Sequence, residues 1–350
     1  MKKLHILVLC TGKPSKRLIQ AIESRGHTYE YFEPSELYLV ISDEINKNDR
    51  VYFQESKKFK PKLLDLKVYN AIVTRIGNGG EYAYTVLEHL TKNLGIYSVQ
   101  NANANRIASH KGWTSQLVSV AGLRSPKTIL FKEPKDIDFM VEQVGPFPIV
   151  LKTPRGSQGS GVALMENKQQ LTSTLELLHS KSVETLLQQY IEGGGTDYRV
   201  IVLNGKVLCT MKRTSADGFK ANLSKKGKGE LVKLSKDHEE FCIKAAKAID
   251  LDFAGVDVMI SDKDGKIYLI EINSNPGTKS IEICEHNWFM DWVELLEEKV
   301  LGSLSLPSSS RKVTGNLTLD VENKAQPIDP LLASASDKLK FMLEQYSFCM

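Results

Sequence analysis

Apolar residues recur along the first hundred positions of the chain in two different patterns. Short, almost wholly apolar runs occur at 4–10 (LHILVLC) and 70–77 (NAIVTRIG), which is typical of strands buried on both faces. Between them, residues 15–27 (SKRLIQAIESRGH) carry apolar side chains at helical spacing, and Gly26 marks the end of the helix. Because strands alternate with helices, residues 1–100 are predicted to form an open α/β domain with a parallel sheet.

Strand candidates beyond residue 101 are joined mainly by turns. Residues 147–153 (FPIVLKT), 186–191 (LLQQYI) and 198–213 (YRVIVLNGKVLCTMKR) have strand patterns, and Asn204-Gly205 is a strong hairpin signal. Helical patterns occur at 106–121, 167–178 and 237–249. This part is therefore predicted to be α+β and mostly antiparallel.

The composition changes after a helix that ends near Leu301. Residues 303–312 (SLSLPSSSRK) are typical of a linker. Residues 333–348 (ASASDKLKFMLEQYSF) predict a short amphipathic helix, either docked on the core or serving as an assembly tail. The two interpretations stay open for the 303–350 segment.

Composition and charge exclude several classes of protein. With 41% hydrophobic and 25% charged residues, the 350-residue chain resembles an ordinary soluble protein, and no apolar run approaches the roughly 20 residues of a membrane helix. The excess of 46 basic over 42 acidic residues is too small to indicate nucleic acid binding. Five cysteines without CxxC spacing predict neither a disulfide framework nor a zinc site. A reducing cytoplasm, without membrane or nucleic acid partners, fits best.

Residues 257–277 (DVMISDKDGKIYLIEINSNPG) form a predicted hairpin with three oxygen-bearing side chains. Glu271 and Asn273 stand two residues apart on the second strand, so they share a face. Asp257 joins that face only if residue numbers paired across the hairpin have an even sum. This condition predicts a loop of odd length, although Asp264-Gly265 is a two-residue turn signal.

The chemistry of this face suits a hard cation. Carboxylate and amide oxygens without nearby His or Cys favour Mg²⁺, which is usually shared with nucleotide phosphates. Ile270 and Ile272 are expected to point to the opposite side. The alternative is the solvated polar face of an edge hairpin.

A glycine-rich loop lies at residues 151–162 (LKTPRGSQGSGV). Lys152 ends a strand, and glycines let the backbone that follows approach phosphate oxygens closely. The loop lacks the Gly-Lys-Ser/Thr triplet of a P-loop, and it leads into a strand rather than the helix of a dinucleotide fingerprint. A lid at 153–161 that folds over a triphosphate is one interpretation, and a structural turn is the other.

Residues 184–200 (ETLLQQYIEGGGTDYRV) could border a nucleoside. An apolar strand can offer main-chain groups to adenine, and Asp197 can then accept hydrogen bonds from ribose, although a strand leaving through a glycine turn fits equally well. Arg199, Arg213 and the FKAN segment at 219–222 supply cations and an amide. Arg199 and Arg213 stand at opposite ends of their predicted hairpin, which leaves open that one of them is only a surface charge. Arg213 is favoured for the site because it directly precedes the loop.

Several motifs together, in this order, resemble the ATP-grasp superfamily, and more narrowly the RimK-type α-L-glutamate ligases. They are Lys111, Lys152 with its glycine loop, QQYIEGGGTDYRV, MKRTSADGFKANL, AGVDVM and EINSNPG. The resemblance covers roughly the first 300 residues and is more specific for the superfamily than for the substrate. It implies an N-terminal α/β domain at 1–100, an ATP-grasp lobe with the glycine lid at 101–183, a lobe with the metal site at 184–302, and a linker and tail at 303–350.

The resemblance also implies roles for individual residues. The implied metal ligands are Asp257, Glu271 and Asn273, and the implied catalytic residues are Arg213 and Lys152. The implied nucleotide-binding residues are Lys111, Lys152, Gly156, Ser157, Gln158, Gly159, Gln189, Tyr190, Ile191, Asp197, Lys220 and Asn222. Lys220 stands where the family has arginine, so a two-point phosphate contact there is in doubt.

The implied reaction is formation of an amide through an acyl phosphate, with ATP and Mg²⁺ or Mn²⁺ as cofactors and two ions possible. The implied partners are an amino acid, expected to be glutamate, and a peptide, protein or small-molecule amine, in a chain that could form homo-oligomers. A peptide-crosslinking ligase, a phosphotransferase and a nucleotide-binding regulatory module are the alternatives. The acceptor pocket is expected from the loop at 74–80 and the basic segment at 220–228.

Overall fold

The computed structural model describes residues 3–42, 50–77, 79–156, 160–215 and 228–304. Predictions for Ser157, Gln158, Gly159, Lys220 and Asn222, and for the tail beyond residue 304, lie outside these ranges. The described strands are β1 His5–Cys10, β2 Thr28–Phe32, β3 Leu37–Leu39, β4 Val51–Phe53, β5 Lys62–Leu63, β6 Ala71–Arg75, β7 Tyr97–Ser98, β8 Thr128–Phe131, β9 Ile149–Lys152, β10 Val162–Met165, β11 Thr185–Gln189, β12 Thr196–Leu203, β13 Lys206–Thr214, β14 Lys228–Val232, β15 Phe253–Ile260 and β16 Ile267–Asn273. The described α-helices are α1 Lys16–Ser24, α2 Gly80–Glu88, α3 Ala102–Ala108, α4 Lys111–Val120, α5 Ile137–Val144, α6 Lys168–Ser180, α7 Lys236–Ala248, α8 Lys279–Ile283 and α9 Phe289–Leu304.

The first sheet is parallel, as the alternation of strands and helices predicts. Its strand order is β2-β1-β6-β7, and each neighbouring pair is parallel. Strand β1 lies at its centre, and its side chains are buried from Ile6 to Cys10, which explains its almost continuous apolar sequence. Ser15 caps the helix that follows by accepting a hydrogen bond from the backbone N–H of Arg17.

A four-stranded and a five-stranded sheet follow, and both are antiparallel. One has the order β10-β9-β11-β8 and the other has the order β14-β13-β12-β15-β16. A small antiparallel sheet, β3-β4-β5, lies beside the first and was not predicted. Its strands are only two or three residues long, which is too short for an alternation to be visible in the sequence.

The predicted helix at 106–121 is divided into two. Helix α3 ends at Ala108, and α4 begins at Lys111 after His110, whose ring accepts a hydrogen bond from the backbone N–H of Trp113. The break gives α4 its own N-terminus at Lys111. In the described part of the chain, none of the helices has the length and hydropathy needed to cross a membrane.

An aromatic cluster at the start of α9 joins the first sheet to the five-stranded sheet. Trp288 and Trp292 are fully buried beside Phe253 of β15, with ring centroids 5.0 and 4.3 Å from that phenyl ring. The same cluster includes Ile6 of β1 and Ile201 of β12. Burial of such large rings is worth several kcal/mol each, so α9 holds the ends of both sheets in a constant relation.

Candidate active site

A cavity of about 860 Å³ lies where the first sheet meets the four-stranded and five-stranded antiparallel sheets. All the predicted site residues that the structure describes line it: Lys111, Lys152, Gly156, Gln189, Tyr190, Ile191, Asp197, Arg213, Asp257, Glu271 and Asn273. They come from helix α4 and from strands or strand ends in two different sheets. The fold therefore brings side chains that are up to about 160 positions apart in the chain to one space.

The hairpin β15–β16 places Asp257 opposite Glu271, so these two carboxylates share a face as predicted. The predicted loop of odd length is wrong. The loop between Ser261 and Lys266 has an even number of residues, and the backbone N–H of Ser261 donates to the carbonyl of Lys266 at 2.9 Å. A β-bulge restores the even pairing, because the register shifts by one residue between Asp257 and Val258.

Ile270 is the extra residue of this bulge, and it lines the cavity beside Glu271. The prediction that it faces away is therefore wrong, whereas Ile272 is fully buried in the core, as predicted. The bulge lets Ile267, Leu269 and Ile272 all pack on one face while the acidic face is kept intact.

A second bulge aligns the charged residues of β12 and β13. Asn204 and Gly205 form the predicted tight turn, but the register shifts between Ile201 and Val202, so that Asp197 pairs with Arg213. Without that shift, Asp197 would face Lys212. Arg199 pairs with Asp257 across the next ladder, and thus one face carries a row of four paired charges over three strands.

The contacts in this row are short and two-pronged. Arg213 donates to both carboxylate oxygens of Asp197 at 2.6 Å, and Arg199 donates to both oxygens of Asp257 at 2.7 and 2.6 Å. Arg213 also lies 3.1 Å from Asp257. Neither arginine is only a surface charge, because both guanidinium groups bind acids of the site. Alternation along β12 could have indicated this, since Asp197 and Arg199 are two residues apart.

Burial and neighbouring charges shift the pKa values of Asp257 and Asp197 in opposite directions. Burial alone would raise the pKa of Asp257, which is 4% exposed, but Arg199 and Arg213 hold it below its usual value. Burial raises the pKa of Asp197 to about 6, although Arg213 binds it, because Asp257 adds a second negative charge nearby. Both are therefore mainly carboxylates at neutral pH.

Lys152 lies at the end of β9, and it is 7% exposed. Its ammonium donates to the side-chain oxygen of Gln188, whose amide in turn donates to Thr128 at 2.9 Å. Burial lowers the pKa of Lys152 to about 8, and Glu271 opposes this effect. The amine is therefore still mostly protonated at neutral pH, and a phosphate beside it would offset the cost of burying its charge. Gln188 was not predicted, and nothing in its apolar strand distinguishes it.

We expect this lysine to make stability depend on pH. Because its folded pKa is about 8 and its unfolded value is 10.5, the unfolded chain binds more protons between these values, and the free energy of unfolding rises with pH across that window. Lys152→Met should reduce the rise by up to about 3 kcal/mol. Urea unfolding at pH 8 and pH 10.5 measures it. Lys168→Met, which removes an exposed lysine, should leave the rise as it is. Equal rises in Lys152→Met and the unaltered protein would contradict the expectation.

Lys111 connects the glycine loop to the acidic hairpin. Its ammonium donates to the carbonyl of Gly156 at 3.1 Å and lies 3.6 Å from a carboxylate oxygen of Glu271. Two glycines are required in this loop, because Gly156 has a φ of +143° and a Cβ on Gly161 would lie 2.1 Å from the hydroxyl of Thr153. Tyr190 and Ile191, which follow the end of β11, also line the cavity.

The oxygen donors of the hairpin fit a divalent cation that is shared with a ligand. The amide nitrogen of Asn273 lies 3.3 Å from Asp257, so the third donor adjoins the two carboxylates. Among the described residues, no group of three or more His, Cys, Asp or Glu side chains is arranged to hold a metal. Two carboxylates and one amide would leave positions for phosphate oxygens, which is the usual arrangement for Mg²⁺ in nucleotide sites.

Comparison with known proteins identifies the family. Residues 108–287 match the model of the RimK-like ATP-grasp domain. A probable alpha-L-glutamate ligase of Aliivibrio fischeri (strain MJ11) is 33% identical over 270 residues, which is 77% of this chain and 85% of that protein. Two solved structures share the fold. The ATP-grasp ligase PsnB, complexed with a phosphomimetic variant of its minimal precursor, Mg and ADP, has a TM-score of 0.64 at 15% identity and covers 84% of this chain and 98% of its own.

The second structure is a D-alanine–D-alanine ligase from Bacillus anthracis. Its TM-score is 0.58 at 18% identity, and the match covers 86% of this chain and 98% of that one. At these identities the two structures show a common architecture only, which is a mixed fold of parallel and antiparallel sheets. The family model and the sequence relative go further, and the chain therefore belongs to the RimK-like ATP-grasp family.

Proposed function

We propose that this protein is an ATP-dependent carboxylate–amine ligase that joins glutamate to a peptide, protein or amino acid. One observation carries the proposal: Lys152, Arg213 and the paired carboxylates Asp257 and Glu271 line a single cavity. The relative named as a glutamate ligase and the ADP and Mg bound in the PsnB structure support the choice of substrate and cofactors.

In this proposal the carboxylate substrate takes the γ-phosphoryl group of ATP and becomes an acyl phosphate. This step exchanges oxide, which is a very poor leaving group, for phosphate. The amine of the second substrate then attacks the carbonyl carbon, the phosphate leaves with the bonding electrons, and the nitrogen gives up a proton. The products are an amide, ADP and phosphate.

The protein contributes positioning and charge. Asp257, Glu271 and Asn273 would hold Mg²⁺, which neutralises charge on the phosphate oxygens when it is bound. Lys152 would keep its proton beside those phosphates and offset charge on the group in transfer. Asp197 would accept hydrogen bonds from ribose, and Tyr190 and Ile191 would lie along the adenine.

Other features extend the proposal. The four described cysteines, Cys10, Cys209, Cys242 and Cys284, are free thiols, which supports a cytoplasmic location. Use of Mn²⁺, a second metal ion and a homo-oligomer are further parts of the proposal. Metal titration of ADP release and light scattering of the purified chain test them.

Hydroxylamine trapping tests the reaction type. We expect the protein, with ATP, Mg²⁺ and a peptide that ends in glutamate, to release ADP and form a hydroxamate, because hydroxylamine attacks an acyl phosphate. When free glutamate replaces hydroxylamine as the amine, mass spectrometry should show a peptide enlarged by one glutamate residue. ADP release without hydroxamate would indicate a phosphotransferase, and a peptide that loses one water without gaining a residue would indicate a crosslinking ligase. If neither ADP nor hydroxamate forms, the proposal is overturned.

A further inference from the structure

The end of the cavity formed by the first sheet carries a cation that the proposed phosphate chemistry does not use. Arg75 is the last residue of β6, pairs with Cys10 at the end of β1, and lines the cavity. The carboxyl ends of parallel strands are common ligand positions in open α/β sheets. Among the described residues of the loop at 74–80, Arg75 is the only charged one, and it lines the cavity.

The guanidinium of Arg75 is held rigidly but is incompletely paired. One terminal nitrogen, Nη2, donates to the carbonyl of Pro276 at 2.8 Å, and the group lies over the rings of Trp288 and Phe289 at 5.6 and 5.4 Å. The other, Nη1, is buried and has no hydrogen-bond partner among the described residues. Buried, unpaired N–H groups are costly and uncommon, and a charged one more so. In the described part of the chain, no carboxylate forms an ion pair with Arg75, and burial lowers its pKa to about 10.

An unpaired acceptor lies close by. Asn275 lines the same cavity, and its side-chain oxygen is buried without a hydrogen-bond partner among the described residues. It is adjacent to the Arg75 segment, because a Cβ added at Gly77 would lie 2.5 Å from the Cβ of Asn275. Asn275 follows the proposed metal ligand Asn273 by two residues, so this position adjoins the phosphate end of the cavity.

We propose that Arg75 and Asn275 form the subsite for the amino acid that supplies the attacking amine, with Arg75 binding its α-carboxylate and the Asn275 oxygen accepting from its amino group. A missing anion and a missing donor at neighbouring positions match the two charged groups of a free α-amino acid. The assignment rests on the proposed ligase function. It makes the free amino acid the amine, whereas the family resemblance implies an amine on the peptide, protein or small-molecule partner.

The same chemistry argues that Arg75 does not bind the other carboxylate of the reaction, which is the one that takes the phosphoryl group. A carboxylate that must attack phosphorus needs a free oxygen lone pair, and a guanidinium that clamps it in two-point geometry makes it a poorer nucleophile. The side-chain oxygen of Asn275 accepts hydrogen bonds, and a carboxylate has no proton to donate to it. An amine substrate that carries a carboxylate away from its reacting atom satisfies both groups.

The test compares three amines in two variants and the unaltered protein. Arg75→Met keeps an unbranched apolar side chain and removes the charge. Arg17→Met removes an exposed arginine that pairs with Glu282 at 3.5 Å. Each protein is given ATP, Mg²⁺ and a peptide ending in glutamate, with glutamate, 4-aminobutyrate or hydroxylamine as the amine. 4-Aminobutyrate is glutamate without its α-carboxylate, and hydroxylamine reports acyl phosphate formation alone.

We expect Arg75→Met to raise the KM for glutamate about a hundredfold, because a buried charged partner is lost. Hydroxamate formation and the KM values for 4-aminobutyrate and ATP should stay within about threefold of the unaltered protein, as should all values in Arg17→Met. Equal loss of hydroxamate and of both amides in Arg75→Met would show a structural role and overturn the assignment.

Calorimetric titration of glutamate into each protein with ADP and Mg²⁺ present requires no turnover, and it separates the two proposals. Glutamate binding that is lost in Arg75→Met supports the subsite even if hydroxamate never forms and the ligase proposal fails. Undiminished binding in Arg75→Met, or no glutamate binding to the unaltered protein, overturns the subsite while hydroxamate formation still supports a ligase.

Discussion

Replacing Asp257 by asparagine is expected to lower ADP release about a thousandfold while the protein stays folded. Asp257 lies at the centre of the charged row, bound in two-point geometry by Arg199 and 3.1 Å from Arg213. It faces Glu271 across the ladder and adjoins Asn273. Asparagine keeps the size of the side chain and one acceptor oxygen, but it removes half of the carboxylate charge that would attract a divalent cation.

The protein should stay folded because asparagine keeps part of the contact that Asp257 makes with Arg199. Asparagine can still accept a hydrogen bond from Arg199, so the stability cost should be about 1–3 kcal/mol, less than the usual total of about 5–15 kcal/mol. ADP release and a thermal melt measure the two effects separately. Asp262→Asn, an exposed change in the turn of the same hairpin, should alter neither. Retained turnover in Asp257→Asn would count heavily against a metal at this site.

Replacing Arg213 by methionine should damage both stability and turnover. Arg213 is 3% exposed and binds two acids, Asp197 and Asp257, of which the first has no other arginine in direct contact among the described residues. Its loss leaves buried carboxylates without their shared cation, and breaking such a pair from one side costs about 3–5 kcal/mol. Turnover should fall about a hundredfold, because a cation beside the phosphates is removed as well.

The pH dependence of this destabilisation distinguishes lost charge from lost packing. The pKa of Asp197 is already raised to about 6, and removal of Arg213 should raise it further. Below that pH the acid can take up a proton and avoid the cost of a buried charge, so the stability gap between the variant and the unaltered protein should narrow as pH falls. Guanidinium chloride unfolding at pH 5 and pH 8 measures the gap.

Two companion variants complete the comparison. Arg213→Lys keeps the charge but not the two-point geometry and should have an intermediate effect on both quantities. Lys212→Met alters the neighbouring residue of β13 and should change little. If the loss of stability in Arg213→Met is equal at pH 5 and pH 8, the electrostatic explanation is contradicted.

The sequence predicted strands β1 and β6 of the first sheet and the hairpins that follow, because these depend on local patterns, whereas the two-residue strand β7 was not predicted. Continuous apolar runs indicated buried parallel strands, and Asn204-Gly205 indicated the turn between β12 and β13. The motifs also pointed to the site residues that the structure gathers in one cavity. The short strands β3 to β5 and the break before Lys111 carried no such local pattern and were missed.

What the sequence alone determined, then, is which residues form strands and which of them carry charge and oxygen ligands. The tertiary structure alone decided how those strands are aligned. Turn rules by themselves place Asp197 opposite Lys212 and separate Asp257 from Glu271, and two β-bulges shift both ladders by one residue to reverse this. A bulge disrupts its own ladder locally. Here the packing of the core on one face and the pairing of charges on the other offset that loss. Those contacts come from distant parts of the chain, so local patterns do not reveal them.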